Sequence, residues 1–215
     1  MIKNILFDMG GVIFRQNSEE AFRRFRAMGV NTDEYMGEYG QRGFFLDVET
    51  GKIDANGFCR KMAEAVGREA VSWEEAQYCW LGFIRDVPVD RLHDLLELRK
   101  KYHVCLLSNT NPFIMAFTRS SAFSGECRPI DDYFDTLFCS YEMQAYKPNP
   151  DIYLKALAAD GMKAEETVFV DDSLKNVKAA ETLGIHGLHV TSGEDWMEKL
   201  TVLLDTCNSL ERVCG

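Results

Sequence analysis

Four short stretches of the chain place chemically capable side chains directly after or beside apolar runs. Asp8 follows Ile2–Phe7 and precedes Met9-Gly10-Gly11, and Ser108 and Asn109 follow His103–Leu107. Lys147 is set in Tyr146-Lys147-Pro148-Asn149-Pro150, and Asp171, Asp172 and Ser173 follow Val168–Val170. Singly, each has a bland explanation. Carboxylates and Asp-Asp-Ser runs cap helices and turns, Ser-Asn is ordinary loop chemistry, and a lysine beside proline is usually solvated. In this order, however, they complement one another. Asp8 and Asp172 can share one Mg²⁺, a hard cation that takes oxygen ligands together with substrate phosphate. Ser108 and Asn109 can donate to phosphate oxygens, and Lys147 can balance the crowded negative charge.

The elements that must bring these residues together are legible as an alternation. The apolar runs Ile2–Phe7, His103–Leu107, Thr136–Cys139, Val168–Val170 and Gly187–Val190 read as strands. Helical patterns lie between the later ones: Leu92, Leu95 and Leu96; then Ile152, Leu154 and Leu157 after Pro150; then Val177, Ala180 and Leu183, stopping at Gly184. Such alternation predicts an α/β fold, a mostly parallel sheet with helices on both faces. Ligands of open α/β sheets bind at the carboxyl ends of the strands, where all four stretches fall. Residues 15–88 break the pattern and predict a helical insert without strands. Ser18 starts a stripe of Ala21, Phe22, Phe25 and Met28 that ends at Gly29, and Asp54 starts one that ends at Gly67. Ser72-Trp73-Glu74-Glu75 has the capping-box form. Pro88 marks the return to the sheet.

Asp8-Met9-Gly10-Gly11-Val12, Leu107-Ser108-Asn109, Lys147-Pro148 and Val170-Asp171-Asp172-Ser173 resemble, in order, the four motifs of the haloacid dehalogenase-like hydrolase superfamily. The likeness spans almost the whole chain. The Lys147-to-Tyr153 stretch and Asn176-Val177 are similar to a branch with sugar-phosphate phosphatases and the phosphatase half of epoxide hydrolases. The resemblance implies a Rossmann-like three-layer core over residues 1–14 and 89–215, with 15–88 as a helical cap of the first subfamily. It implies an Mg²⁺-dependent phosphatase acting on a small phosphorylated metabolite, with Asp8 as nucleophile and metal ligand and the Gly10 carbonyl as another ligand. Ser108 and the Asn109 amide would hold the phosphoryl group, and Lys147 would neutralise it and Asp8. Asp172 would be the direct ligand of the fourth motif, with Asp171 ligating or acting through water. A carboxylate nucleophile divides hydrolysis into two easier steps through a covalent intermediate.

One position departs from that pattern. Family phosphatases usually carry a second Asp two residues after the nucleophile, as general acid and base, and here that position is Gly10. Three readings follow. The first is a phosphatase in which a cap group, the substrate or a water takes over the missing acid. The others are a 2-haloacid dehalogenase, whose halide leaves without a proton, and a phosphate-binding protein with weak turnover. The dehalogenase branch resembles Asp-x-Tyr-Gly-Thr in its first motif, and Asp8-Met9-Gly10-Gly11-Val12 lacks the Tyr and Thr.

Specificity is expected in the insert, on loops at Gln41–Phe45 and Asp47–Lys52. Arg42 and Lys52 could meet a sugar or carboxylate there, although such cations are more often solvated. Trp73 and Trp80, at helical spacing, read as core of the insert rather than stacking platforms. His93, His103, His186 and His189 form no ligand-like group in the sequence and receive no role. A net charge of −10 over 215 residues with no basic block argues against nucleic-acid or anionic-membrane partners. No apolar run approaches the roughly 18 residues of a membrane span, and no signal peptide is seen. Seven scattered cysteines without a C-x-x-C pair predict neither zinc site nor disulfides. A cytoplasmic monomer or homodimer is the expectation.

Overall fold

The computed structural model describes residues 1–37 and 40–214, and the side chains of all of these except residues 37, 40 and 210–214. Strand β1 (Asn4–Phe7) leads through a tight loop to β2 (Arg15–Gln16) and then to helices α1 (Ser18–Ala27) and α2 (Thr32–Tyr35). The short pair β3 (Met36–Gly37) and β4 (Gly40–Gln41) follows, then α3 (Gly43–Glu49), α4 (Ala55–Val66), α5 (Trp73–Trp80) and β5 (Ile84–Asp86). The remainder alternates: α6 (Val89–Leu98), β6 (His103–Ser108), α7 (Pro112–Thr118), β7 (Thr136–Cys139), α8 (Ser140–Met143), α9 (Pro150–Ala159), β8 (Thr167–Asp171), α10 (Leu174–Glu181), β9 (His186–His189) and α11 (Met197–Cys214).

The five longer alternating strands form one sheet in the order β7-β6-β1-β8-β9, and every pairing is parallel. Side chains alternate across it because a strand has a period of two. Ile5 and Phe7 of β1, Val104 and Leu106 of β6, and Val168 and Val170 of β8 join one core with Leu92, Leu95, Phe113, Leu200 and Leu204. Leu6, Cys105, Leu107 and Phe169 point the other way, onto Ile152, Tyr153, Ala156 and Ala180. The sheet is therefore sandwiched, α6, α7 and α11 on one face and α9 and α10 on the other. This is the parallel sheet with helices on both faces expected from the alternation, and the Rossmann-like α/β core that the resemblance implied.

Between β1 and α6 the chain is mainly helical, with some differences from expectation. Four short strands occur there. Arg15–Gln16 pairs antiparallel with Ile84–Asp86, and Met36–Gly37 with Gly40–Gln41. Strands of two or three residues carry no readable alternation. Gln41–Phe45 and Asp47–Lys52, expected as loops, instead take in the end of β4 and most of α3. The N-cap of α1 is Asn17, whose Oδ1 accepts from the Glu20 amide at 3.2 Å, so Ser18 is already helical. The other two starts are as expected: Asp54 accepts from Gly57, and Ser72 and Glu75 form the capping box. Phe25, Phe45, Phe58 and Trp80 pack together with ring centroids 5.0–5.6 Å apart. Phe58 and Trp73 meet Phe113 of α7 at 5.3 and 4.5 Å, joining the insert to the sheet's core. Six cysteines are free (59, 79, 105, 127, 139, 207), and the Cys214 side chain and Gly215 lie outside the described residues.

Candidate active site

Strand register brings the sequence motifs together. Phe7 pairs with Leu106 on one side and Val170 on the other, so Asp8 emerges between Leu107 and Asp171. Its amide donates to the Val170 carbonyl at 2.8 Å. The following turn is pinned from below. Buried Arg91 donates to the Val12 carbonyl at 2.7 Å, and Trp196 Nε1 donates to the same oxygen at 3.1 Å. Gly11 has φ +77°, and a side chain there would overlap the Asp172 carboxylate. Only glycine fits both constraints.

Lys147 is the centre of the site. Its side chain is 1% exposed, and Nζ donates to Asp8 Oδ1 at 2.7 Å, Asp171 Oδ2 at 2.8 Å and the Leu107 carbonyl at 2.8 Å. Asn109 clasps the lysine's backbone: its Oδ1 accepts from Lys147 N at 2.8 Å and its Nδ2 donates to Lys147 O at 3.0 Å. The Asn109 side chain is thereby engaged, while the Ser108 hydroxyl, which donates only at 3.4 Å to the Asn109 carbonyl, lines the cavity where it can turn to an anion. Asp171 is fully buried and saturated by Lys147, by the Ser173 amide at 2.7 Å and by Asn176 Nδ2 at 3.1 and 3.2 Å. Asp172 has no ion-pair partner among the described residues.

The electrostatics favour a cation. Asp8, Asp171 and Asp172 offer oxygens all within 4.8 Å of one another, against a single ammonium. Burial, with Asp171 and Asp172 adding to it and Lys147 opposing, pushes the Asp8 carboxyl up to about 7. Burial and then Asp171 likewise raise Asp172, against a hydrogen bond from Ser192. Burial alone would lower Lys147, but Asp171 and Asp8 outweigh it and hold it charged. Hard oxygen donors in excess of the local positive charge suit a divalent ion such as Mg²⁺.

Above this floor lies a cavity of about 340 Å³, lined from the sheet side by Asp8, Gly10, Ser108, Asn109, Thr110, Lys147 and Asn176 and from the insert by Gln16, Gln41, Glu49, Trp80 and Phe83. Three lining side chains carry a buried polar atom without a hydrogen-bond partner: Gln41 Oε1, Trp80 Nε1 and Thr110 Oγ1. Buried polar atoms are nearly always paired, so orphans in a cavity wall point to a bound molecule. Glu49 is 6% exposed and accepts from the Tyr146 hydroxyl at 3.0 Å. Burial, with Tyr146 and the nearby Asn111 amide opposing, pushes its carboxyl up to about 7.

All seven motif residues read from the sequence thus converge. Arg42 and Lys52 do not join them: both are exposed, and Lys52 sits 3.5 Å from Asp47. Trp80 belongs to the aromatic core as expected and also lines the cavity, which sequence spacing did not disclose. Glu49, Gln16, Tyr146 and Asn176 received no role from the sequence. Tyr146, Asn176 and Glu49 all lay within quoted stretches, Glu49 inside the Asp47–Lys52 segment expected to face the site, but nothing in the sequence sets Glu49 apart from the other polar residues there. His103 is a correction. It meets Asp160 at 2.7 Å and Asp135 at 3.6 Å, beside Cys105 at the far end of β6. Those carboxylates come from remote loops, so no local spacing reveals the group.

Comparison with known proteins gives a consistent picture. The family model described as haloacid dehalogenase-like hydrolase matches residues 2–184. The D-ribitol-5-phosphate phosphatase of Bacteroides thetaiotaomicron is 40% identical over 207 residues, 96% of this chain and 100% of that protein. A HAD-like family hydrolase from Porphyromonas gingivalis superposes with TM-score 0.90 at 39% identity, covering 95% of this chain and 98% of its own. A variant of a HAD family enzyme from B. thetaiotaomicron, in complex with magnesium and inorganic phosphate, has TM-score 0.86 at 35% identity, covering 93% and 99%.

Proposed function

The chain belongs to the haloacid dehalogenase-like hydrolase family, and from that premise we propose that it is an Mg²⁺-dependent phosphatase for a sugar or polyol phosphate, working through a phosphorylated Asp8. The observation that carries the substrate reading is the cavity wall over Asp8. Its unpaired atoms, an indole N–H, an amide oxygen and a hydroxyl, match a molecule rich in hydroxyl groups. The similarity to a D-ribitol-5-phosphate phosphatase points the same way.

In this mechanism an Asp8 oxygen attacks phosphorus, and the bond to the alcohol breaks. The Ser108 hydroxyl and the Asn109 backbone N–H bind the phosphoryl oxygens. Lys147, fixed by Asn109, holds Asp8 in place and offsets charge on the transferring group. Water then attacks the phosphorus of phospho-Asp8 and frees the carboxylate. Asp8, Asp172 and the Gly10 carbonyl would hold Mg²⁺, with Asp171 orienting Lys147 and Asn176 beside them. The ion supplies positive charge against the phosphoryl oxygens. Residues 15–88 act as the cap that shields the site and contacts the alcohol, on a core of 1–14 and 89–215.

Among the described residues no helix is long and apolar enough to cross a membrane. We place the enzyme in the cytoplasm, as a monomer or homodimer with neither nucleic acid nor membrane as partner, in keeping with its acidity and its free cysteines. The test is a metabolite panel. Phosphate release should require Mg²⁺ and favour polyol and sugar phosphates such as ribitol 5-phosphate and glucose 1-phosphate over nucleoside monophosphates. Halide release from a 2-haloacid without phosphate release from any ester would overturn the reading.

A further inference from the structure

The phosphatase reading leaves the departing alcohol without a proton donor, because position 10 is glycine. No neighbour fills that role from the same place. The side-chain amide of Gln16 lies where a Cβ on Gly10 would stand, and an amide does not donate a proton near neutrality. Among the described residues lining the cavity, only Asp8, Lys147, Tyr146 and Glu49 titrate. Asp8 is the nucleophile. Lys147 is committed to Asp8, Asp171 and the Leu107 carbonyl. Tyr146 directs its hydroxyl at Glu49, and its phenol is held far above neutrality by burial, then by Glu49 and Asp8.

We propose that Glu49, at the end of α3, is the general acid that protonates the leaving alcohol and the general base that then activates water. This rests on the phosphatase reading above. As Asp8 bonds to phosphorus, the P–O bond to the alcohol breaks and its electron pair stays on that oxygen, which takes the proton of the Glu49 carboxyl. In the second step water gives a proton to the Glu49 carboxylate while its oxygen bonds to phosphorus. The Asp8–phosphorus bond breaks, inorganic phosphate leaves, and Glu49 is protonated again.

The fold holds Glu49 at this place from both sides. The Ser140 hydroxyl, at the start of α8, donates to the Glu49 carbonyl at 2.6 Å and accepts from the Thr110 amide at 2.9 Å. Gly51, at φ +70°, lies so close to the Tyr141 carbonyl that any side chain would clash. The end of α3 is thus fastened to the loops that carry Ser108 and Lys147. Beside the carboxyl are Tyr146, from the loop after α8, and Asn111, from the start of α7, and the same cavity is lined by Gln41 of β4 and Trp80 of α5. The charged groups of the cavity are Asp8 and Lys147, which pair with each other. A carboxyl that burial brings to about 7 is half protonated at neutrality, which suits both halves of the cycle.

The test compares leaving groups in single-turnover phosphorylation of Asp8. An aryl phosphate such as p-nitrophenyl phosphate departs as phenolate, whereas ribitol 5-phosphate needs a proton. Glu49→Gln should slow phosphorylation by ribitol 5-phosphate by about 10²-fold or more, and by the aryl ester less than about tenfold. The fall of the ribitol 5-phosphate rate above about pH 7 should vanish in Glu49→Gln. In Tyr146→Phe, which loses the hydrogen bond that stabilises the Glu49 carboxylate, that fall should move to higher pH. Equal losses on both esters, or a pH profile unchanged in both variants, would overturn the assignment. Tyr146→Phe keeps the test decisive should Glu49→Gln not fold. Wild-type enzyme that releases no phosphate from either ester, or Asp8→Asn that still does, would instead overturn the phosphatase reading.

Discussion

Replacing the nucleophile should stabilise the protein. Asp8 sits with Asp171 and Asp172 around one ammonium, its side chain 13% exposed, and its carboxyl is lifted from 3.8 to about 7. At about 1.4 kcal/mol per pH unit, keeping Asp8 ionised in the metal-free fold costs on the order of 4 kcal/mol. The sign follows from the raised value. A carboxyl whose folded pKa lies above its unfolded one contributes its full stability below the unfolded pKa, and loses it as pH rises through the folded pKa. Asp8→Asn cannot ionise, so its advantage should be near zero around pH 4 and grow to as much as about 4 kcal/mol above about pH 8. Urea unfolding with a chelator present, at both pH values, measures the difference. Mg²⁺ should then raise wild-type stability more than that of Asp8→Asn, because binding to the folded state is added to folding. A variant less stable than wild type at the higher pH would refute the reasoning. It would mean that Lys147 more than compensates Asp8, and that the site has no shortfall of positive charge.

Other changes separate the neighbouring roles. Asp172→Ala should weaken Mg²⁺ binding, read by calorimetry, more than Asp171→Ala, because Asp171 is saturated by Lys147, Ser173 and Asn176. The Asp171 variant should instead lose phosphoryl transfer through a misplaced Lys147. A side chain at position 10 would meet only the far end of the exposed Gln16 side chain, which can swing aside at little cost. With Glu49 already donating, Gly10→Asp should quicken phosphorylation by alkyl phosphates little in the wild-type background and clearly in Glu49→Gln, once Mg²⁺ affinity is shown to be intact. Trp80→Phe removes one unpaired donor from the cavity wall. It should raise KM for a polyol phosphate by about three- to tenfold, the worth of one neutral hydrogen bond, and leave KM for p-nitrophenyl phosphate nearly unchanged.

Asp8, Ser108 and the Asp171-Asp172 pair were legible in the sequence because strand ends in a parallel alternation share one edge of the sheet. Lys147, in the loop after α8, was legible through its place in the Lys-Pro stretch beyond β7. The register turns that shared edge into contacts of 2.7–2.8 Å around Lys147. Glu49 fell in a segment expected to face the site but was not singled out, and the unpaired indole of Trp80 was not legible, for the converse reason. Their helices are specified by caps and apolar stripes, which say that α3 and α5 exist and bury a face. Which residue at a helix end then opens onto the cavity that Asp8 lines depends on how the insert seats on the sheet. That seating is set by contacts such as Phe58 and Trp73 against Phe113, and by Ser140 on Glu49. The four short strands of the insert escaped notice because two or three residues carry no periodicity. Gly10 shows how far local sequence reaches: it revealed a missing acid, but not that Gln16 covers the vacated space.

A covalent phosphoryl group on Asp8 is the centre of the proposed chemistry. Acid quench of the Mg²⁺-loaded enzyme during turnover of a phosphate ester, followed by peptide mass spectrometry, should find one phosphoryl group on the peptide bearing Asp8. The adduct and all phosphate release should be absent from Asp8→Asn. Undiminished turnover in Asp8→Asn, or a phosphoryl group carried by any other residue, would contradict the mechanism.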